Sequence, residues 1–195
     1  MVTAILFLVG VVSLLLFDPG QTAFYYNQPI SWSWVVRLVT HMVSHGNWKH
    51  LMGNFIYGFP YMLYLEYRMN DWKKFLKAFF FCGWVALLGQ FLISKFSVLP
   101  TMGVIGSSGA IFGLVAFALC IAKESKIIRW LSLSLLAFHI YTQGYSTWMS
   151  MKGYSFGIAF GAHLFGIFAG MYCAWKLTRR PKSPHRRRVT SRSRK

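Results

Sequence analysis

The chain has 195 residues, 55% of them hydrophobic and 18% aromatic, with four acidic residues against 21 basic ones and a formal net charge of +17; its mean hydropathy is +0.44. That balance excludes an ordinary water-soluble domain of this size and points to a bilayer as the solvent. Cys82, Cys120 and Cys173 all fall inside apolar stretches, so they offer neither a disulfide framework nor a metal-ligand spacing.

A hydrocarbon core of about 30 Å takes ~20 apolar residues per helix, and six stretches are read as spans: Val2 to Phe17, Leu51 to Tyr67, Phe75 to Ile93, Gly103 to Ala122, Ile127 to Gln143 and Phe156 to Leu177. The first is short enough for a signal-peptide core. It lacks a basic flank, however, and ends in Asp18-Pro19-Gly20 rather than small residues, so it is kept as a helix. The fold expected is an all-α membrane protein, a six-transmembrane-helix bundle over residues 1–177, followed by a basic tail without fixed structure over 178–195. All but four of the 21 Lys and Arg residues fall on one side of such a bundle, the exceptions being Arg37, Lys49, Lys95 and Lys152. The positive-inside rule then places both termini in the cytoplasm and the segment from Asp18 to Lys49 outside. The tail, with Arg186-Arg187-Arg188 and no acid, suits anionic lipid headgroups better than nucleic acid, which is not expected as a partner.

The outside segment holds Tyr25, Tyr26, Trp32 and Trp34, aromatic residues suited to the headgroup level, and reads as structured. It leads into His41, His45, His50 and Asn54. Asn47 is a suitable N-cap, which sets His50 and Asn54 one turn apart on the next helix. Three spaced histidines raise the question of a metal, but no Asp, Glu or Cys nearby completes a site, and neither metal nor cofactor is expected. Glu66 and Arg68 read as an ion pair, Gln90 as scaffolding and His139 as a hydrogen-bonded packing histidine.

The stretch Gly106-Ser107-Ser108-Gly109-Ala110-Ile111-Phe112-Gly113 opens an apolar helix expected to start near Gly103. Its glycines recur every three or four residues and leave one face bare. Such a face is either a packing seam or the access to a reactive serine. A second one occurs in Gly161-Ala162-His163-Leu164-Phe165-Gly166, continued by Gly170, and carries a histidine. Two bare faces, one with Ser and one with His, are what a close helix pair needs to bring a hydroxyl to an imidazole. Between them, residues 144–155 read as an outside loop, with Tyr145 and Trp148 as a candidate gate.

Gly-x-Ser-Gly opening the fourth span, Ala-His-x-x-Gly-x-x-x-Gly in the sixth, and three histidines and Asn54 leading into the second together resemble the rhomboid family of intramembrane serine proteases. The resemblance implies that Ser108 is the nucleophile and His163 its base, without a carboxylate. It implies an oxyanion hole made by His50, Asn54 and the Ser108 backbone N–H, with His41 and His45 supporting the outer segment. It further implies cleavage of transmembrane segments of membrane proteins near the outer face, and an integral multi-pass protein of a bacterial-type plasma membrane. The chain departs from the family pattern at Val36, where Trp often precedes the Arg, and at Phe112, where some members place Tyr. The alternative is a catalytically inactive rhomboid-like binder or chaperone of membrane helices, since a fold can outlive its chemistry. A small transporter with His163 or His139 as proton relay is more remote. Metalloprotease and aspartyl types are excluded, because the four acids, Asp18, Glu66, Asp71 and Glu124, stand near span ends and no His-Glu-x-x-His occurs.

Overall fold

A computed structural model of the chain describes residues 1–98, 103–154 and 157–179. In chain order they form α1 (Val2–Leu16), α2 (Pro19–Thr22), β1 (Phe24–Tyr25), α3 (Trp32–Thr40), α4 (Trp48–Met69), α5 (Trp72–Lys95), β2 (Gly103–Val104), α6 (Ser108–Ile121), α7 (Lys126–Met151) and α8 (Phe160–Thr178). The helix starts follow from short polar side chains that accept the first free N–H groups. Ser31 caps Trp34, Asn47 caps His50, Asp71 caps Lys74 and Ser125 caps Ile128. Asn70 closes α4 in the left-handed region at φ 44°.

The centre of the molecule is α6. Its residues are apolar on every side, and from Gly109 to Leu119 all but Phe112 are buried. Around it pack α8, α5, α4 and α7, while α1 lies against α4. Phe75, Phe79, Phe117, Leu65, Leu114 and Ile167 are among the most deeply buried side chains of this core. The two short strands pair antiparallel, Phe24 with Val104 and Tyr25 with Gly103, which ties the segment before α3 to the approach to α6.

The architecture corrects the six-span expectation. The domain is all-α, but among the described residues only α5, Trp72–Lys95, is both long and apolar enough to cross a membrane. Val2–Leu16 and Ser108–Ile121 are apolar but have only 15 and 14 residues, about 22 Å of helix against a core of about 30 Å. Three other helices are long enough but diluted by polar residues: Lys49, His50, Asn54, Glu66 and Arg68 in α4, a Ser, Thr, His and Gln series in α7, and His163 with glycines in α8. The multi-pass placement, with its plasma-membrane location and cytoplasmic termini, falls with the six spans, because the count of basic residues then has no set of helices to orient. The chain-wide composition misled because Trp and Tyr count as hydrophobic there while each carries a polar end. The basic tail lies outside the described residues from position 180 onwards.

Two local expectations also change. Glu66 does not pair with Arg68: its carboxylate accepts from the backbone N–H groups of Val2 at 2.6 Å and Thr3 at 3.0 Å, and pairs with the Met1 ammonium, so it caps α1 from across the helix pair. The expected loop at 144–155 is largely helix, since α7 runs on to Met151. A lone Gly144 costs a helix only about 1 kcal/mol and does not end it.

Candidate active site

Ser108 is the first residue of α6, and the helix does not start near Gly103 as the sequence suggested. Gly103 and Val104 are held as a strand, and Gly106 has φ +110°, a conformation an L side chain resists. The Gly106 N–H donates to the His41 carbonyl at 2.8 Å, so the last residues before the helix are fastened to the segment after α3. A Cβ at Gly106 would also stand 2.5 Å from the His50 ring. The first turn of α6 has no side-chain cap. Its N–H groups therefore remain as donors at the positive end of the helix.

His163 sits in the first turn of α8, buried, with Nε2 2.9 Å from Ser108 Oγ. Glycine backbones make this approach possible. A Cβ at Gly166 would lie 2.1 Å from the Gly109 carbonyl oxygen, and one at Gly170 would lie 1.8 Å from that of Gly113. The two bare helix faces read from the sequence are thus in direct backbone contact. The start of α8 is fixed from α5, where the buried Gln90 accepts the Ala162 N–H at 3.0 Å. Phe112 stacks on the His163 ring with centroids 4.2 Å apart and planes 13° from parallel. On its other edge, His163 Nδ1 lies 3.0 Å from Gln143 Oε1 of α7.

His50 and Asn54 line the same cavity as Ser108 and His163, a space of about 880 Å³. The His50 ring stands edge-on to that of His45 at 5.2 Å. The Asn54 amide nitrogen lies 3.0 Å from His45 Nε2 and 3.4 Å from Ser107 Oγ, and the Ser107 hydroxyl is itself 3.1 Å from His45 Nε2. Asn54 therefore spends one N–H on His45 and holds the other in a long contact. Ser107 was not singled out in the sequence, since it occupies the variable position of Gly-x-Ser-Gly; its buried pairing with His45 is visible only in three dimensions.

The remaining histidines take separate partners. His41 Nδ1 donates to the Arg37 carbonyl at 2.7 Å, and the Arg37 guanidinium donates to the Gln21 carbonyl at 3.0 Å and to Gln28. Burial lowers the His41 pKa to about 4 against the opposing pull of that carbonyl. His45 is also lowered to about 4, by burial first and then by the neighbouring His50. His139 bonds the Tyr57 hydroxyl at 3.0 Å and meets Phe112 edge-on, 5.9 Å away. Tyr145 and Trp148 stand exposed on α7 rather than in a loop, their rings 6.1 Å apart. No three His, Cys, Asp or Glu side chains among the described residues group to hold a metal ion.

Residues 33–180 match the family model described as Rhomboid domain. The chain is also 27% identical over 169 residues to Rhomboid-like protein 11, chloroplastic, of Arabidopsis thaliana. That alignment covers 82% of this chain and 57% of the relative, so the chain spans little more than half the length of that protein.

Proposed function

Because the chain belongs to the rhomboid family, we propose that it is a serine endopeptidase in which Ser108 is the nucleophile and His163 the base, acting on transmembrane segments of membrane proteins. The observation that carries this reading is the 2.9 Å approach of His163 Nε2 to Ser108 Oγ beside a cavity lined by polar groups.

The chemistry follows from those groups. As Ser108 Oγ attacks a peptide carbonyl, its proton passes to His163 Nε2, a general-base contribution of about 10²–10⁴-fold. The carbonyl oxygen takes up negative charge. The Ser108 backbone N–H in the uncapped first turn supplies one donor to it, and Asn54 and His50, which line the same cavity, supply the side-chain donors. Asn54 supplies the N–H now in long contact with Ser107, keeping its bond to His45. Collapse of the tetrahedral intermediate breaks the C–N bond, and His163 returns the proton to the leaving amine. Water then attacks the acyl-serine with His163 again as base, releasing the acid and restoring the hydroxyl. A substrate helix must unwind first, because its carbonyls are tied up in its own hydrogen bonds. Segments with small or helix-breaking residues are the substrates that fit. Apolar side chains exposed on α1, α3 and α7, among them Leu15, Trp32, Trp130 and Phe138, support lipid contact. Tyr145 and Trp148 fit a gate on the α7 side.

The test is labelling and cleavage together. Purified protein in detergent should react with a fluorophosphonate at Ser108 and cleave a model transmembrane segment. Ser108→Ala and His163→Ala should each lose both activities, Ser108→Ala with its thermal midpoint retained and His163→Ala, which empties a buried place against Phe112, with a lowered midpoint but a folded protein at the assay temperature. A folded Ser108→Ala protein that still cleaves would remove the serine mechanism. A wild type that binds such segments and never cleaves them would favour the inactive binder.

A further inference from the structure

Gln143 stands on α7, where the sequence alone marks only the end of an apolar stretch. Its side-chain oxygen lies 3.0 Å from Nδ1 of His163, whose opposite ring nitrogen lies 2.9 Å from Ser108 Oγ. A neutral imidazole carries one N–H, and a carboxamide oxygen only accepts. The contact therefore puts the hydrogen on Nδ1 and turns the Nε2 lone pair toward the serine. In the reversed tautomer an N–H would face the hydroxyl, and no proton could leave it in that direction.

We propose that Gln143 is a positioning residue for the reaction: it accepts the Nδ1–H of His163 and so fixes the ring's tautomer and orientation. The inference rests on the Ser108–His163 reading and adds to it a third partner from a third helix. Two further observations carry it. Phe112 stacks on one face of the imidazole at 4.2 Å and Phe160 stands perpendicular to the ring at 6.1 Å, while Gln143 brings a polar oxygen to the Nδ1 edge. Gln143 is also seated: the Thr147 hydroxyl donates to its backbone carbonyl at 2.7 Å, and His139, one turn earlier, is tied to Tyr57 on α4. When Ser108 transfers its proton to Nε2, the ring holds two N–H groups and a positive charge. The Gln143 oxygen keeps accepting from Nδ1 and faces that charge with its negative end, and Gln143 itself neither gains nor loses a proton.

The experiment uses the full chain in detergent, with the rate of fluorophosphonate labelling as readout and ¹⁵N NMR of the His163 ring as a spectroscopic signature. Wild type should show the Nδ1–H tautomer. Gln143→Met, of similar length but without an acceptor, should label about tenfold more slowly, the scale of one neutral hydrogen bond, and should show a mixed tautomer signal with the thermal midpoint held. Gln143→Glu, which restores an acceptor oxygen, should bring the rate back. An Nε2–H tautomer in wild type, or full labelling by Gln143→Met, or a Glu variant as slow as the Met variant, would overturn the assignment. Should the Met variant fail to fold, the wild-type tautomer alone decides. Ser108→Ala separates the two levels: cleavage by that variant would refute the dyad, whereas a silent Ser108→Ala beside an unaffected Gln143→Met would refute only the role of Gln143.

Discussion

Asn54 and His50 are held in different ways, and this sets how each should respond to truncation. Asn54 shares a buried cluster with His45 and Ser107, so Asn54→Ala removes a proposed oxyanion donor and also strips a partner from two buried polar atoms. We expect a fall in kcat of about 10²–10³-fold together with a stability loss of about 0.5–1.5 kcal/mol, the scale of one hydrogen bond, because His45 Nε2 and Ser107 Oγ stay bonded to each other. His50→Ala should lose activity of similar order, with stability changed through ring packing against Gly106 and His45 rather than through a lost hydrogen bond. Kinetics and thermal midpoints measured on the same preparations check this. An Asn54→Ala protein with full kcat would remove that residue from the oxyanion hole. Ser108 and His163 could be picked out in the sequence because each stands on a regular glycine stripe. Gln143 and Ser107 could not: one is a single amide whose partner lies 20 residues away, the other sits beside a more conspicuous serine.

At the scale of helices, the backbone contact between α6 and α8 is the feature with the sharpest consequence. A methyl group at position 170 would have to occupy space 1.8 Å from the Gly113 carbonyl oxygen, and neither helix has a side chain there to move aside. Gly170→Ala should therefore force the helices apart, at a cost of about 1–3 kcal/mol or more, and slow labelling at Ser108. Gly144→Ala on α7, where nothing lies within 4 Å, should keep or slightly raise the thermal midpoint, as expected of a helical Gly→Ala change. Equal effects from the two would show that the seam is not tight. The α6–α8 pairing was legible because small-residue spacing reports directly on how closely backbones can approach. The start of α6 was not, because a two-residue strand pairing with a segment some 80 positions earlier leaves no local signal. The length of α7 was misread for the opposite reason, since Gly144 and the polar residues after it look like a loop but satisfy a helix.

For the whole molecule, pH offers a test of how dry the surroundings of the buried His41 and His45 are. His41 and His45 are both lowered to about 4, whereas in an unfolded chain a histidine titrates near 6.5. Above about pH 6.5 both states are neutral at these rings. Below that the unfolded chain binds protons that the folded one refuses, so stability falls as the pH drops from 6.5 toward 4 and stops falling there for this cause. The loss is on the order of 3 kcal/mol for each ring. Thermal midpoints across this window should decline, and a flat profile would mean that the rings are wet or already protonated. Chain-wide composition could indicate an unusually apolar protein, yet it could not divide that character among helices, which is where the six-span expectation failed. One last consequence concerns time. α6 is buried along nearly all its length, whereas α7 is buried only at Ser132, Leu136 and Thr147. Amide hydrogens of α6 should then exchange with solvent only when much of the molecule opens, and those of α7 through its own brief excursions. Ser108 thus opens a helix that keeps the slow clock of the core, while Gln143, proposed to orient His163, sits on the faster clock of an outer helix.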